Sequence, residues 1–311
     1  MILTATLNAA LDLTYRVDAL IPHRTHRVQE VHAAAGGKGV NVARVLAAYG
    51  EDVVATGLVG GVTGEQIRAD LAITTVRDAM VGIARDSRRT VTVHALDDGD
   101  ATAFNEPGPL VSAAEWQHFC ARFGALLPDA QVAVLCGTLP PGVPVEAYGV
   151  LTRMAREHGV RVVLDTSGRA LRAAVQDGPD VVKPNAEELS EVTGVDDPLH
   201  AAADLRASGA RAVIASLGAD GLVALDEHEC LRARPPADIP GNPTGAGDAC
   251  VAAVAAGLAR GYSWTQILSR AVALSAAAVP MPRAGEVDFD LAERLLPTVT
   301  LEVADAAGPH R

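Results

Sequence analysis

Gly245, Ala246 and Gly247 lead directly into Asp248, and an apolar run follows at helical spacing: Ala249, Cys250, Val251, Val254, Ala255 and Leu258. Small residues ending in a carboxylate at a helix start have a specific chemical use. The N–H groups of a first turn have no carbonyl partner inside the helix, and the helix dipole favours negative charge there. Together they make an anion hole. Asp248 cannot hold a phosphate by itself, but it can take the proton of a hydroxyl that attacks one. A glycine-rich turn with an acidic cap has the same pattern, and the stretch Gly241–Asp248 alone does not separate the two readings.

Three other clusters carry polar groups at useful spacing. Gly36-Gly37-Lys38-Gly39-Val40-Asn41 opens a helix through Val42, Val45, Leu46 and Tyr49. It is no Walker A loop, because Gly39 follows Lys38 where Ser or Thr is needed, and no G-x-G-x-x-G follows the first strand. Its glycines would let a ligand touch the backbone, with Asn41 offering a donor and an acceptor. Lys183-Pro184-Asn185-Ala186-Glu187-Glu188 places Asn185 and Glu188 three residues apart on one helical face. These are hard oxygen ligands of the kind Mg²⁺ takes when it keeps most of its waters; the competing reading is a capping box. Ser216-Leu217-Gly218-Ala219-Asp220-Gly221 is a polar turn between strands. Arg27, Lys38, Arg88 and Arg89 are the cations nearest the mouth of the expected site and the lid expected over it. The nine histidines show no metal-ligand spacing, and no G-x-S-x-G elbow is present.

The elements that must position these groups alternate. A buried-type strand over Ile2–Leu7 ends at Asn8 and Asp12. Another covers Val53–Leu58, with Gly57, Gly60, Gly61 and Gly64 in the loop beyond and a helix over Glu65–Leu71. From residue 112 onward helices are expected at Ser112–Leu127, Val145–His158, Ala186–Thr193 and Leu199–Ser208. Strands are expected at Val132–Leu135, Val160–Leu164, Val181–Val182 and Ala212–Ala215. Alternating strands and helices imply a parallel sheet, and the polar clusters fall just after strands, where open α/β sheets bind ligands. The segments near 13–34 and 86–105 alternate polar and apolar residues instead. They predict a small separate sheet with one wet face, placed to act as a lid.

Composition narrows the class. At 311 residues the chain has length for a large core; hydrophobic residues are 49% but aromatics only 3%, which predicts a core of Ala, Val and Leu. A net charge of −12 argues against nucleic-acid and anionic-membrane partners. It also requires local cations wherever a phosphate binds. Cys120, Cys136, Cys230 and Cys250 lack paired spacing and read as reduced thiols of a cytoplasmic protein. The first residues lack a basic n-region and carry Asp12, so no signal peptide is expected there; no apolar run is long enough to span a bilayer, and the tail after Leu301 is expected to be poorly ordered.

In this order the clusters resemble the PfkB, or ribokinase-like, family of carbohydrate kinases along essentially the whole chain. The strongest pieces are Gly245-Ala246-Gly247-Asp248 and Gly36 through Arg44. Within the family the chain is most similar to the tagatose-6-phosphate kinase and 1-phosphofructokinase subgroup. The stretches that carry this are Leu3–Asn8 with Asp12, Gly137–Gly142, Leu164–Gly168, and Lys183-Pro184-Asn185 with Glu188-Leu189. The resemblance implies a single three-layer α/β/α domain with a mostly parallel central sheet and a small β lid, often used for dimerisation. It implies ATP and Mg²⁺. It implies Asp248 as catalytic base with the amides of Gly245, Ala246 and Gly247 as anion hole, and Asn185 and Glu188 as organisers of the metal through water. Asp12, Gly37, Lys38 and Asn41 match sugar contacts, with Thr138 near the sugar phosphate. Arg88 falls at a phosphate-binding position, and Lys183, Ser216, Gly218 and Gly221 lie with the nucleotide.

Four positions depart from the family pattern. Cys136 and Thr138 replace the common Ser-Gly-Ser-Leu-Pro, Thr25 stands where some phosphofructokinases carry a lysine, and Asn242 stands where an aspartate lies near a monovalent cation. The expected activity is ATP-dependent phosphorylation of a ketohexose phosphate: fructose 1-phosphate or tagatose 6-phosphate ahead of fructose 6-phosphate. A kinase of an unphosphorylated sugar or nucleoside, and a sugar-phosphate sensor with little turnover, are the alternatives.

Overall fold

The computed structural model describes residues 1–97, 101–235 and 239–304. The first part of the chain runs β1 (Ile2–Thr6), β2 (Ala10–Val17), β3 (Glu30–Gly36), α1 (Lys38–Ala48), β4 (Val53–Gly60), α2 (Gly61–Leu71), β5 (Arg77–Asp78), β6 (Val81–Ile83), β7 (Arg88–Ala95) and β8 (Ala101–Asn105). It continues with α3 (Ala113–Leu126), β9 (Val132–Cys136), α4 (Ala147–Glu157), β10 (Arg161–Asp165), α5 (Gly168–Ala174), β11 (Val181–Val182), α6 (Ala186–Thr193) and α7 (Pro198–Ala207). The last part is β12 (Ala212–Ser216), β13 (Leu222–Leu225), β14 (Cys230–Arg234), α8 (Ala246–Arg260), α9 (Trp264–Ala278), α10 (Phe289–Leu295) and β15 (Thr300–Val303).

Among the described residues the large sheet has the order β15-β14-β13-β12-β11-β10-β9-β1-β4-β5, with β6 also paired to β4. From β5 through β12 every pairing is parallel; β13 to β15 add antiparallel. Successive residues of its strands point to opposite faces. Ile2, Val132 and Val134 therefore join one core with α1, α2, α8 and α9, while Leu3, Ala133 and Leu135 join another with α3, α4 and α7. This is a mixed α/β fold with helices on both sides of a mostly parallel sheet. The chain leaves β1 toward β4 and later returns to β9 on its other side. That reversal opens a crevice at the carboxyl end of β1.

β3, β2, β7 and β8 form a separate four-stranded sheet. Cross-strand register divides its faces. Asp12 pairs with Ala34 and Thr90, and Thr14 with His32 and Thr92; these residues face the cavity described below. Leu13 pairs with Ala33 and Val91, Val91 with Phe104, and Tyr15 with Val31 and Val93, which makes the other face apolar.

Several expectations need correction. Residues 18–29 of the first alternating segment carry no strand, and 98–100 of the second lie outside the described residues. Gly57 and Gly60 belong to β4 and Gly61 and Gly64 to α2, not to a loop. A Cβ at Gly57 would run into the Thr6 carbonyl of β1, so glycine there permits close strand pairing. The core is not built from aliphatics alone. Trp116, Phe119 and Phe123 stack along α3 with ring centroids 5.8 and 6.1 Å apart, and Tyr148 is fully buried. The buried aromatics lie in this one layer, while Tyr49, Tyr262, Trp264 and Phe289 pack partly buried against the other core. The tail does not end its order at Leu301, since β15 pairs with β14; residues 305–311 lie outside the described residues. All four cysteines are free thiols. No helix among the described residues is long and apolar enough to cross a membrane.

Candidate active site

One cavity of about 1000 Å³ lies between the polar face of the small sheet and the carboxyl ends of the parallel strands. Gly245, the residue that caps α8, has φ of +94°, a conformation that favours glycine, and no side chain caps the helix. The Ala246 N–H turns back to the Pro243 carbonyl at 3.0 Å. The following amides, Gly247 and Asp248, are first-turn donors that helix geometry leaves without a carbonyl.

Asp248 is 7% exposed and lines the cavity. Asn41, on α1, donates its Nδ2–H to Asp248 Oδ2 at 2.9 Å. Burial, reinforced by the nearby Asp165 carboxylate, raises Asp248 to about 7, against the opposing pull of Asn41, Lys38 and Lys183. A carboxyl group tuned there can exchange a proton near neutrality.

Charges of both signs converge beneath it. Asp165, at the end of β10, receives Lys38 Nζ at 3.1 Å and has Lys183 Nζ at 3.8 Å. Lys38 Nζ also lies 3.7 Å from Glu188 Oε1. Burial alone would lower both lysines, but the carboxylates around them prevail and hold both above the usual lysine value. Lys183 reaches the α8 turn from below: a Cβ at Gly247 would stand 3.7 Å from its Nζ.

Asn185 and Glu188 form a complete capping box at α6, with Glu188 N–H donating to Asn185 Oδ1 at 2.7 Å and Asn185 N–H to Glu188 Oε2 at 2.9 Å. The capping reading is therefore correct in structure. It does not exhaust the pair, because both residues also line the cavity. Among the described residues no cluster of three or more His, Cys, Asp or Glu side chains is arranged to ligate a metal.

On the sugar side, Asp12 lies between two arginines. Burial raises its carboxyl while Arg88, Thr90 and Arg44 draw it back. Arg88 donates from Nε to the Asn8 carbonyl at 3.1 Å and from Nη1 to Thr90 Oγ1 at 3.2 Å and to the Glu106 carbonyl at 3.4 Å. Gly37, with φ of +97°, turns the chain from β3 into α1. The neighbouring glycines serve packing as much as any ligand: a Cβ at Gly36 would overlap the Asp12 carboxylate, and one at Gly39 would overlap Thr6 Oγ1. Ser216, Gly218 and Gly221 line the opposite end, where Val272, Ala276, Val279 and Met281 add an apolar wall.

The structure thus brings Asp12, Gly37, Lys38, Asn41, Arg88, Lys183, Asn185, Glu188, Ser216, Gly218, Gly221 and Gly245–Asp248 to one cavity. Thr138 is the exception. It is exposed, does not line this cavity, and its Oγ1 accepts from Asn8 Nδ2 at 3.0 Å. It helps hold Asn8, whose carbonyl in turn holds Arg88. Arg27 and Thr25 lie in the exposed 18–29 loop. Asn242 Oδ1 is taken by the Thr244 N–H at 2.9 Å, a local turn. Sequence reasoning assigned no role to Asp165, although it follows a strand end, and none to Arg44 or Arg283, both of which line the cavity.

Comparison with known proteins agrees with this fold. The profile described as pfkB family carbohydrate kinase matches residues 5–287. A tagatose-6-phosphate kinase of Staphylococcus epidermidis is 33% identical over 298 residues, covering 93% of this chain and 96% of that protein. The crystal structure of Escherichia coli phosphofructokinase-2 in complex with potassium superposes with a TM-score of 0.90 at 30% identity, covering 95% of this chain and 98% of that one. A possible 1-phosphofructokinase from Thermotoga maritima superposes with a TM-score of 0.89 at 26% identity, covering 98% of this chain and 100% of that one.

Proposed function

We propose that this chain, which belongs to the pfkB family of carbohydrate kinases, transfers the γ-phosphoryl group of ATP to a hydroxyl of a ketohexose already carrying one phosphate, yielding the bisphosphate and ADP. The observation that carries the reading is the Asp248 carboxylate, buried at an uncapped helix start and hydrogen-bonded to Asn41. Asp12 and Asn41, with Gly37 and Lys38, orient the sugar. Asp248 accepts the proton of its hydroxyl. The first-turn amides of α8 and Lys183 stabilise charge on the transferred group, in a site where water is excluded by the small sheet acting as a lid. Ser216, Gly218 and Gly221, with the apolar wall behind them, take the nucleotide. A phosphoryl transfer of this kind depends mainly on positioning and charge.

The donor set suits Mg²⁺. Asp165 Oδ2 is buried without a hydrogen-bond partner among the described residues, and Asn185 and Glu188 present further hard oxygens to the same cavity. Asp165, Asn185 and Glu188 would hold the ion, in part through water, and bound there it would neutralise the β- and γ-phosphates. Glu188→Gln should then raise the Mg²⁺ concentration needed for half-maximal rate. A Mg²⁺ titration identical to wild type would confine Glu188 to its capping role.

The named relatives act on, or are named for, hexose phosphates, which supports that substrate class here. We rank fructose 1-phosphate and tagatose 6-phosphate above fructose 6-phosphate because Thr25 supplies no cation. ATP turnover across these three, fructose and ribose tests the reading; preference for ribose or free fructose overturns it.

We place the enzyme in the cytoplasm, where ATP and sugar phosphates meet. We also place a second copy of the chain on the apolar face of the small sheet. Val31 and Phe104 are each 57% exposed there, and like faces of two sheets can bury one another about a two-fold axis. Val31→Glu should shift sedimentation from dimer to monomer; wild-type protein sedimenting as a monomer at assay concentration rules the dimer out.

A further inference from the structure

Residues 281–284, which no motif singled out, wall the cavity beside the first turn of α8, and Gly285 and Glu286 follow them. Two close contacts fix this wall. A Cβ at Gly245 would stand 2.9 Å from Ala284 Cα, and a Cβ at Gly285 would stand 3.2 Å from Asn41 Cα and 3.4 Å from Arg44 Cδ. Gly245 and Gly285 both have positive φ, +94° and +81°, so a side chain at either would be strained as well as crowded. The wall therefore joins the anion hole to the helix that carries Asn41.

Arg283 stands immediately before this seam and lines the cavity. Its side chain is 48% exposed, and its ion pair among the described residues is with Glu286, at 2.5 Å. Such a half-exposed pair within one loop is weak enough to exchange. Arg44 lies close by, itself paired to Asp70. Burial and the like charge of Arg283 together hold Arg44 below its usual range. Two guanidinium groups that repel one another across a cavity wall favour an anion in front of them.

We infer that Arg283 is a catalytic residue of the transfer, exchanging Glu286 for the phosphoryl group in flight. This rests on the reading of Asp248 and the α8 turn given above. In the step, the acceptor oxygen bonds to the γ-phosphorus while the bond from that phosphorus to the β–γ bridging oxygen breaks. The electron pair of the broken bond leaves with ADP, and the hydroxyl proton passes to Asp248. Charge spreads over the equatorial and leaving oxygens at that moment. Lys183 approaches the α8 turn from the core, and Arg283 supplies a planar fork of donors from the cavity wall. A lysine at 283 would give a point charge without that fork.

The test uses the full chain carrying Arg283→Ala, Arg283→Lys or Glu286→Gln, assayed with ATP and whichever ketohexose phosphate wild type turns over best. Arg283→Ala should lose on the order of 10² to 10³ in kcat, with KM for both substrates moving within about threefold. Arg283→Lys should recover a minor part, and guanidinium ion added to Arg283→Ala should restore some of the lost rate. Glu286→Gln breaks the same ion pair but keeps the guanidinium, and should hold kcat within about threefold of wild type. Unchanged kcat in Arg283→Ala overturns the inference. So does a loss confined to KM for the sugar phosphate, which would put Arg283 on the phosphate the acceptor already carries. Equal losses in Arg283→Ala and Glu286→Gln without guanidinium rescue would make the pair a strut of the loop. Failure of the underlying reading shows separately: wild type with no turnover of any ketohexose phosphate overturns both.

Discussion

Asp248→Asn is expected to lower kcat on the order of 10²- to 10⁴-fold while the protein still folds and binds nucleotide. The amide keeps the size of the carboxylate and can still meet Asn41, but it cannot take a proton from the acceptor hydroxyl. Turnover within about threefold of wild type would remove Asp248 from the mechanism. The pH dependence gives an independent reading of the same group. Its folded value of about 7 lies above the ordinary 3.8 because burial and Asp165 both oppose the anion. The base works only when ionised, so wild-type kcat/KM should rise with pH through the region of 7 and level above it. Stability carries the opposite sign. A carboxyl raised on folding favours the folded state while protonated, and that contribution falls as pH climbs from about 4 to about 7. Above neutrality the ionised, buried carboxylate is a standing cost that Asp248→Asn removes. The variant should therefore melt higher than wild type at pH 8 and nearer to it in mild acid. An inactive variant that is also less stable at pH 8 would indicate that the carboxylate is needed for packing instead.

The parts of this site that the sequence makes legible are those where local chemistry and backbone geometry coincide. Gly245 and Gly37 need positive φ at helix starts, so the glycines mark both turns, and Asp248 and Asn41 follow at fixed helical offsets. The parallel sheet is legible because continuous apolar strands alternate with amphipathic helices. Asp165 is harder to read: one carboxylate after a strand is ordinary until β9, β10 and β11 align and bring Lys38 and Lys183 to it. Arg44 and Arg283 are harder still, because they stand 239 positions apart in the chain and only the fold brings them together. Thr138 shows the reverse error. Its place in a family-like segment suggested a substrate contact, but the segment's turn directs it to Asn8 and leaves it outside the cavity. The aromatic core could not be inferred from a low aromatic fraction, because composition does not say that Trp116, Phe119 and Phe123 share one helix face.

The second large effect concerns Arg88, and it decides the substrate class. A protein of net charge −12 repels a sugar phosphate unless the mouth of its site is locally cationic. Arg88 begins a strand of the small sheet and lines the cavity beside Asp12. Burial disfavours its charge and Asp12 partly restores it. Nε and Nη1 are anchored on Asn8, Thr90 and Glu106, whereas Nη2 makes no hydrogen bond among the described residues. A guanidinium held on one edge is oriented before substrate arrives, so less side-chain entropy is lost when it takes a phosphate oxygen. Arg88→Ala should cost roughly 2 to 4 kcal/mol in kcat/KM for the phosphorylated ketohexose, the usual range for a charge-assisted bond whose partner is left unpaired. The cost for slow turnover of the unphosphorylated sugar should be much smaller. Both rate constants, in wild type and variant, are the measurement. Equal losses on the two substrates would mean that Arg88 acts through Asn8, Thr90 and Glu106, pinning the small sheet to the strand ends, and that the existing phosphate is read elsewhere on the cavity wall.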